Sequence, residues 1–265
     1  MMGLFFRLKI QTMNSNPRQL TMLTVVQAQG PVTVEYLAEK LGVTLQTVRR
    51  DVQRLADEGL LARFHGGVRM PGSTVENVAY QQRESLNAAG KARIAKAVAK
   101  AVPNDCSLIL NIGTTTEAIA RGLLGHSGLR VITNNLNVAH ILSANSKSEV
   151  IVVGGVVRGR DQGIVGEAAV DFIRQFKVDI ALMGISGIEA DGTLRDYDYR
   201  EVKVSQTIMH HAREVWVAAD SSKFKRPAMV EVARLSQIDR LFTDAEPPEP
   251  FPALLADAQV RCDVA

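Results

Sequence analysis

Three runs of apolar residues at helical spacing, each opened by a capping side chain and closed by a glycine, occupy the first sixty positions of the chain. Asn16 and Pro17 open the first, a place where proline is tolerated because its missing N–H would be unpaired anyway. Leu20, Leu23, Thr24 and Ala28 follow as its apolar positions, as far as Gly30. Thr33 caps the second run, in which Val34, Leu37, Ala38 and Leu41 share one face before Gly42. Thr44 caps the third, predicted over 44–58 with Leu45, Val48, Val52 and Leu55 inward and Gly59 as its stop. The short link between the second and third runs predicts a helix-turn-helix. Residues 60–64 then read as a strand, Gly66-Gly67 as a turn and 68–70 as the return strand, together a small β-wing.

The pattern changes after the wing. Polar residues dominate 71–86, which is expected to be a linker. From 87 onward, strands predicted at 106–112, 130–133, 150–153, 179–183, 215–218 and 241–243 are interspersed with helices at 116–124, 138–144, 168–176 and 201–212. Strands without clean alternation, separated by helices, predict a parallel sheet covered on both faces. The fold class is therefore α/β, with a winged helix-turn-helix at 14–70, a linker at 71–86 and a parallel-sheet domain at 87–265. Residues 1–13 stand apart as a possible extension, and either Met1 or Met13 can be the start. Arg7 and Lys9 interrupt that stretch and no small-residue cleavage site follows it, which argues against a signal peptide.

Charge sharpens the division. The formal net charge is only +3, but residues 1–70 carry nine Lys/Arg against five Asp/Glu, while 71–265 carry 22 against 23. A basic head on a neutral body fits a phosphate-backbone binder joined to a sensing or catalytic unit. No apolar stretch approaches the ~20 residues of a membrane span. The two cysteines, Cys106 and Cys262, lie far apart in apolar surroundings and are expected to be buried thiols in a reducing cytoplasm.

Spaced at about 100° around the third helix, Gln46, Arg50 and Gln53 fall opposite the apolar arc, flanked by Thr47, Arg49 and Arg54. Arg can fork onto guanine O6 and N7 and Gln onto adenine N6 and N7, so these are the residue types a groove reader needs. The cap residues Thr33 and Thr44 join them as candidate DNA contacts, and Arg63, His65 and Arg69 are candidate wing contacts to phosphate or the minor groove. The stretch TVEYLAEKLGVTLQTVRRDVQRLADEGLLARFHGGV, 33–68, closely resembles the N-terminal signature of the DeoR family of bacterial regulators. That resemblance implies a repressor binding operator DNA as a homo-oligomer.

Three loops in the body follow predicted strands. Gly113, Thr114, Thr115 and Thr116 stand between a strand and a helix, where backbone N–H groups can cradle a phosphate, although a threonine there can also simply cap the helix. Thr133-Asn134-Asn135 and the loop with Gly184, Ser186 and Gly187 are expected at neighbouring carboxyl edges, where open α/β sheets bind ligands. Gly154-Gly155 permits close backbone approach, and a structural turn explains the pair equally well.

The body resembles the DeoR effector domain, which implies a fold similar to ribose-5-phosphate isomerase and glucosamine-6-phosphate deaminase and a phosphorylated effector. In that isomerase the loop matching MGISG reads DGADE; here Met183 and Ser186 stand at its two aspartates, and a thioether shuttles no proton. No catalytic residue is expected. Glu201, in YREVK, resembles the isomerase's general base and can instead bond a ligand hydroxyl, so an isomerase with an accessory DNA domain stays the competing class. Lys223, in ADSSKF, resembles a position near the phosphate, with an exposed loop lysine as the plain alternative. The segments NIGTTTEAIA, LRVITNNLNVA, RDQGIVGEAAVDFIRQF and SSKFKRPAMV resemble family members that govern glycerol metabolism genes, implying glycerol 3-phosphate as effector. The family usually has Asp where Asn111 stands, so a negative charge beside the phosphate site is expected to be missing. The histidines have no metal-ligand spacing, and neither GxGxxG nor a Walker loop occurs, so neither metal nor nucleotide cofactor is expected.

Overall fold

A computed structural model describes residues 16–57, 60–64, 67–70, 77 and 80–265, arranged as two compact units, Met1–Gly72 and Ser73–Ala265. The extension at 1–13, the helix end at Glu58 and Gly59, the wing residues His65 and Gly66, and most of 71–79 lie outside the described residues.

The first unit contains α1 (Pro17–Gln29), β1 (Val32–Thr33), α2 (Val34–Leu41), α3 (Leu45–Asp57), β2 (Ala62–Phe64) and β3 (Gly67–Arg69). Asn16 caps α1 through Oδ1, Thr33 caps α2 through Oγ1, and Gly42 ends α2 in the left-handed region at φ 62°. Val48, Val52 and Leu55 of α3 pack with Leu37 of α2, and with Met22, Leu23 and Val26 of α1. Two sequence expectations are corrected. The face that α1 buries is Gln19, Met22, Leu23 and Val26 rather than Leu20, Thr24 and Ala28. Leu45 is 39% exposed because, as the first residue of α3, it precedes the turn that meets the core.

A polar clamp locks α1 to α3. Arg18 Nε donates to Asp51 Oδ2 at 2.6 Å and Gln19 Nε2 to Asp51 Oδ1 at 3.0 Å. Burial alone would raise the Asp51 carboxyl, but the hydrogen bonds from Arg18 and Gln19 outweigh it and hold the group below its ordinary value. In the wing, β3 is the middle strand of the order β1-β3-β2, antiparallel to both neighbours. The Phe64 ring lies over Gly67, where an added Cβ would stand 2.2 Å from its Cζ, so a side chain there would displace the ring.

The second unit opens with α4 (Tyr80–Ser85) and α5 (Ala88–Ala101), followed by β4 (Ser107–Leu110), α6 (Thr114–Gly122), β5 (Arg130–Thr133), α7 (Leu136–Leu142) and β6 (Glu149–Val152). Next come β7 (Val156–Arg158), β8 (Gly163–Val165), α8 (Glu167–Ile173), β9 (Val178–Gly184), β10 (Gly187–Ile188), β11 (Thr193–Asp196), α9 (Tyr199–His210) and β12 (Ala212–Ala218). The last elements are β13 (Val230–Arg234), β14 (Arg240–Thr243), α10 (Phe251–Asp257) and β15 (Arg261–Val264). Tyr80–Ser85 is thus helical inside the stretch read as linker; polar partners described below hold it there.

Seven parallel strands form the main sheet in the order β15-β14-β12-β9-β4-β5-β6. Alternate side chains feed two cores. Ile109, Ile132, Ala181, Val215 and Val217 face one side with α8, α9 and α10 residues such as Val170, Ile208 and Phe251. Leu108, Leu110, Val131, Leu182 and Trp216 face the other, against Ile94, Val98, Ile119 and Leu142 of α5, α6 and α7. Burial on both faces is why these strands read as continuous apolar runs. Cys106 is buried, but Cys262 is exposed because β15 is an edge strand.

From β4 the chain winds outward through β5 and β6, and from β9 it winds the opposite way through β12, β14 and β15. The boundary between β4 and β9 is a topological switch point, the place where the loops of open α/β sheets diverge and a ligand crevice is expected.

Replacing Asp51 with Ala leaves the buried Gln19 amide without its acceptor and should cost about 1–3 kcal/mol in denaturant unfolding of the first unit at pH 7. Because the folded carboxyl titrates below its unfolded value, this contribution is present above the ordinary carboxylate range and is lost as pH falls through the folded value. The gap between wild type and variant should therefore close on acidification, and Asp51→Asn, which keeps an acceptor for Gln19, should lose less.

Candidate functional site

On α3 the side chains of Gln46, Arg49, Arg50, Gln53 and Arg54 are exposed and Thr47 is half-buried, while Val48, Val52 and Leu55 point into the core. The expected groove-reading face is thus a surface. Not all of it is equally available. Gln53 Nε2 donates to Asp57 Oδ1 at 2.7 Å, and Arg63 of β2 donates to Gln53 Oε1, so this amide ties helix to wing. The hydroxyls of Thr33 and Thr44 accept from the backbone N–H groups of Tyr36 and Thr47, which makes capping their structural role. Arg63 is exposed, but Arg69 is only 5% exposed, because β3 is the central wing strand and all of its residues are covered. Arg69 is therefore removed from the expected surface contacts.

In the second unit the first and third predicted loops meet at the switch point. Asn111 Nδ2 donates to the Gly184 carbonyl at 3.0 Å, and Gly184 N donates to Asn111 Oδ1 at 2.7 Å. The side chain is 2% exposed, so it acts as a bridge between strand ends; the missing charge expected at this position is not its main consequence. Gly113, the N-cap of α6, has φ 157°, and no side chain caps the helix. Thr116 Oγ1 donates to the carbonyls of Asn111 and Gly113, and Thr114 Oγ1 to that of Arg83. The capping alternative for these threonines is thereby set aside. Thr115 is buried beside them.

The second loop is committed inwardly. Thr133 Oγ1 donates to Leu110 O, Asn134 Nδ2 to Ile164 O, and Asn135 caps α7 while donating to Glu117 Oε1 at 3.2 Å. All three are almost wholly covered; the Asn134 Oδ1 is buried with no hydrogen-bond partner in the described structure. Gly154 and Gly155 are exposed. Gly155 backs onto β8, where a Cβ would stand 2.9 Å from Ile164 Cγ2, the packing expected of a structural turn. In the third loop, Ser186 Oγ donates to Asp196 Oδ1 at 2.9 Å, and Gly187 passes so close to the Arg226 carbonyl that a Cβ would meet it at 2.1 Å.

Glu201 lies at the start of α9, buried, with Oε2 accepting from Arg158 at 2.7 Å. Arg158 also binds Asp161 at 2.8 Å and Asp198 at 3.1 Å. Burial, followed by the nearby Asp196 charge, pushes Glu201 up to about 8 in spite of Arg158. Burial pushes Asp196 up as well. Asp198 is drawn down to about 2, because the hydrogen bonds from Arg200 and the Arg158 charge overcome the opposing effect of burial.

Lys223, on a single 3-10 turn after β12, is 7% exposed, which excludes the exposed-loop alternative. Asp220 is the opposite charge that acts on its amine. Burial drives it down to about 7; Asp220 opposes this, while the positive charges of Arg226, Lys91 and Arg83 reinforce it. Sequence reasoning missed Arg158, Asp161, Asp196, Lys91, Arg226 and Glu117. Charged residues inside otherwise apolar stretches, such as Glu117 in the first turn of α6, were the available signal.

An exposed basic helix-turn-helix face on one unit and a buried polar cluster at the switch point of the other define the class: a DNA-binding regulator with a separate sensor. Residues 18–74 match the DeoR-like helix-turn-helix domain and residues 86–245 the DeoR C terminal sensor domain. The chain is 42% identical over 95% of its length to the glycerol-3-phosphate regulon repressor of Escherichia coli K12, covering all of that protein. It is 40% identical over 96% of its length to the HTH-type transcriptional repressor CsqR of the same organism, covering 97% of that protein. Ribose 5-phosphate isomerase A from Methanocaldococcus jannaschii aligns with 51% of this chain and 53% of its own at 17% identity, with a TM-score of 0.38. This chain belongs to the DeoR family of helix-turn-helix transcriptional regulators, and both bacterial relatives are named as repressors.

Arg158→Met would leave Glu201 without its hydrogen-bonded cation, would remove one of the cations on Asp161 and Asp198, and should lower the stability of the second unit by about 3–5 kcal/mol. Urea unfolding monitored at Trp216 checks this; a loss below about 1 kcal/mol would mean water, rather than Arg158, satisfies the carboxylates.

Proposed function

We propose that the chain is a repressor that grips operator DNA with the exposed face of α3 and lets go when a small phosphate ester, glycerol 3-phosphate, occupies the crevice at the switch point. The observation that carries the effector half is Lys223. A buried amine, surrounded by more positive than negative neighbours, creates a site whose missing partner is an anion. The uncapped N-terminus of α6, a second source of positive potential in the same unit, supports the same ligand class. The names of the relatives favour glycerol 3-phosphate among phosphate esters.

The DNA half rests on Gln46, Arg49 and Arg50, exposed on the helix that a helix-turn-helix inserts into the major groove. One such helix reads one half-site, so the proposal includes self-association into a homo-oligomer on a repeated operator. The exposed Arg63 serves as a phosphate contact of the wing.

Titration with glycerol 3-phosphate and a panel of sugar phosphates, read by gel shift on an operator duplex, tests the whole reading. Operator affinity should drop about 5- to 150-fold with the true effector. Release by a different ester, with no response to glycerol 3-phosphate, replaces the effector and keeps the architecture. Arg50→Ala should cost about 1–3 kcal/mol and relax base preference, whereas Arg63→Ala should weaken all sequences alike.

The lowered Lys223 predicts a pH signature. An anion favours the protonated amine, so phosphate-ester affinity should fall as pH rises above about 7. Calorimetry between pH 6 and about 9 checks this, and Lys223→Met should abolish the slope.

A further inference from the structure

The helix α4 has no buried residue and only six positions, too few for a helix to hold itself together. Its place is fixed by polar bonds. Tyr80 Oη donates to Glu117 Oε2 at 2.6 Å, and Asn137 Nδ2 donates to Tyr80 Oη at 3.0 Å. Thr114 Oγ1 donates to the Arg83 carbonyl at 3.4 Å, and the same carbonyl accepts from Lys91 Nζ, which also reaches Leu86 O at 2.7 Å. The Arg83 guanidinium stands 3.7 Å from Asp161.

These partners belong to the candidate effector loops. Thr114 opens α6, Glu117 sits in its first turn, and Asn137 lies in the first turn of α7, directly after the second loop. Asp161 shares Arg158 with Glu201. Glu117 is 1% exposed and accepts from Tyr80, Asn135 and Asn137, so a small displacement of its carboxylate changes the acceptor that Tyr80 depends on. Burial and the Glu117 charge hold the Tyr80 phenol in its protonated form, which keeps it a donor. Along the chain, α4 is the first described helix after the winged helix-turn-helix.

We propose that α4 is the coupling element of the regulator: polar bonds from Glu117, Thr114 and Asp161 set its position, and ligand occupancy of the loops resets them. The movement passes along the chain to the DNA-binding unit. An element packed by apolar surface would resist such a change, whereas one held by a few hydrogen bonds to loop residues follows them. This inference rests on the reading of the three-loop crevice given above.

The test uses the full-length chain and an operator duplex selected from a random-sequence pool by the wild type. Coupling is the ratio of operator affinities without and with saturating glycerol 3-phosphate. Tyr80→Phe keeps the ring and removes the hydroxyl. The ratio should fall at least threefold, while calorimetric affinity for glycerol 3-phosphate without DNA stays within twofold. Reciprocity requires the operator's effect on ligand affinity to shrink by the same factor. An unchanged ratio overturns the proposal, as does a ligand affinity that falls in step with the ratio, which would make Tyr80 only a support of the binding site. Should Tyr80→Phe fail to fold, amide exchange in wild-type peptides spanning 80–86 decides: a change on ligand addition supports the proposal, and none overturns it. Failure of glycerol 3-phosphate to bind the wild type overturns the effector assignment alone, and the ratio is then read with whichever sugar phosphate binds. If none binds, both readings fall.

Discussion

Where the sheet reverses its winding, the side-chain amide of Asn111 supplies what a neighbouring strand otherwise would. Gly184 ends β9 with an N–H and a carbonyl at the mouth of the crevice, and Asn111 satisfies both. An amide can do this because it offers one donor end and one acceptor end; a carboxylate offers acceptors only and would set an oxygen against the Gly184 carbonyl. The bridge fixes the distance between the loop that opens α6 and the loop that leads to Ser186. Everything the crevice does with a ligand is referred to that spacing.

Around this bridge the buried polar layer is divided between two regimes of charge. On one side Arg158 is surrounded by Asp161, Asp198 and Glu201, and those carboxylates outweigh the cost of its burial and hold it firmly cationic. In that region the carboxylates outnumber Arg158, and Glu201 stays raised in spite of it. Around Lys223 the balance tips the other way, since Asp220 faces the amine together with Arg226, Lys91 and Arg83. On the proposed reading, an anionic ligand would gain at Lys223, where positive neighbours outnumber Asp220. The Asp196 and Glu201 pair resembles a catalytic dyad in its raised values, but Ser186 and Tyr197 bond Asp196 and Arg158 bonds Glu201.

The features legible in the sequence are those that periodicity records. Val48, Val52 and Leu55 announced both the helix and the face it hides, and the unbroken runs of β4 and β9 announced strands covered on both sides. Pairing between distant polar residues leaves no such trace. Nothing near Asp51 indicates Arg18 and Gln19, more than thirty residues earlier, and nothing near Arg158 indicates Glu201. The edge strand β15 was missed because its exposed residues, Arg261 among them, lack an apolar run, while Arg240 and Asp263 pair across to β14. Arg69 was misjudged for a related reason: strand alternation assigns a side, but the wing's middle strand is covered on both.

The two kinds of bonding also divide the labour between rigidity and response. The core of the first unit holds α3 by Val48, Val52 and Leu55, and the Asp51 clamp adds a fixed polar contact. A helix held in that way keeps one shape. In the second unit α5 and α6 are equally fixed by Ile94, Val98 and Ile119. Between these anchored bodies in the sequence comes α4, whose polar contacts are weak enough singly to exchange and numerous enough together to define a position. A coupling of the usual 1–3 kcal/mol is about the scale of one or two such hydrogen bonds, so nothing larger than a change of partners at Tyr80 and Arg83 is required to carry the signal.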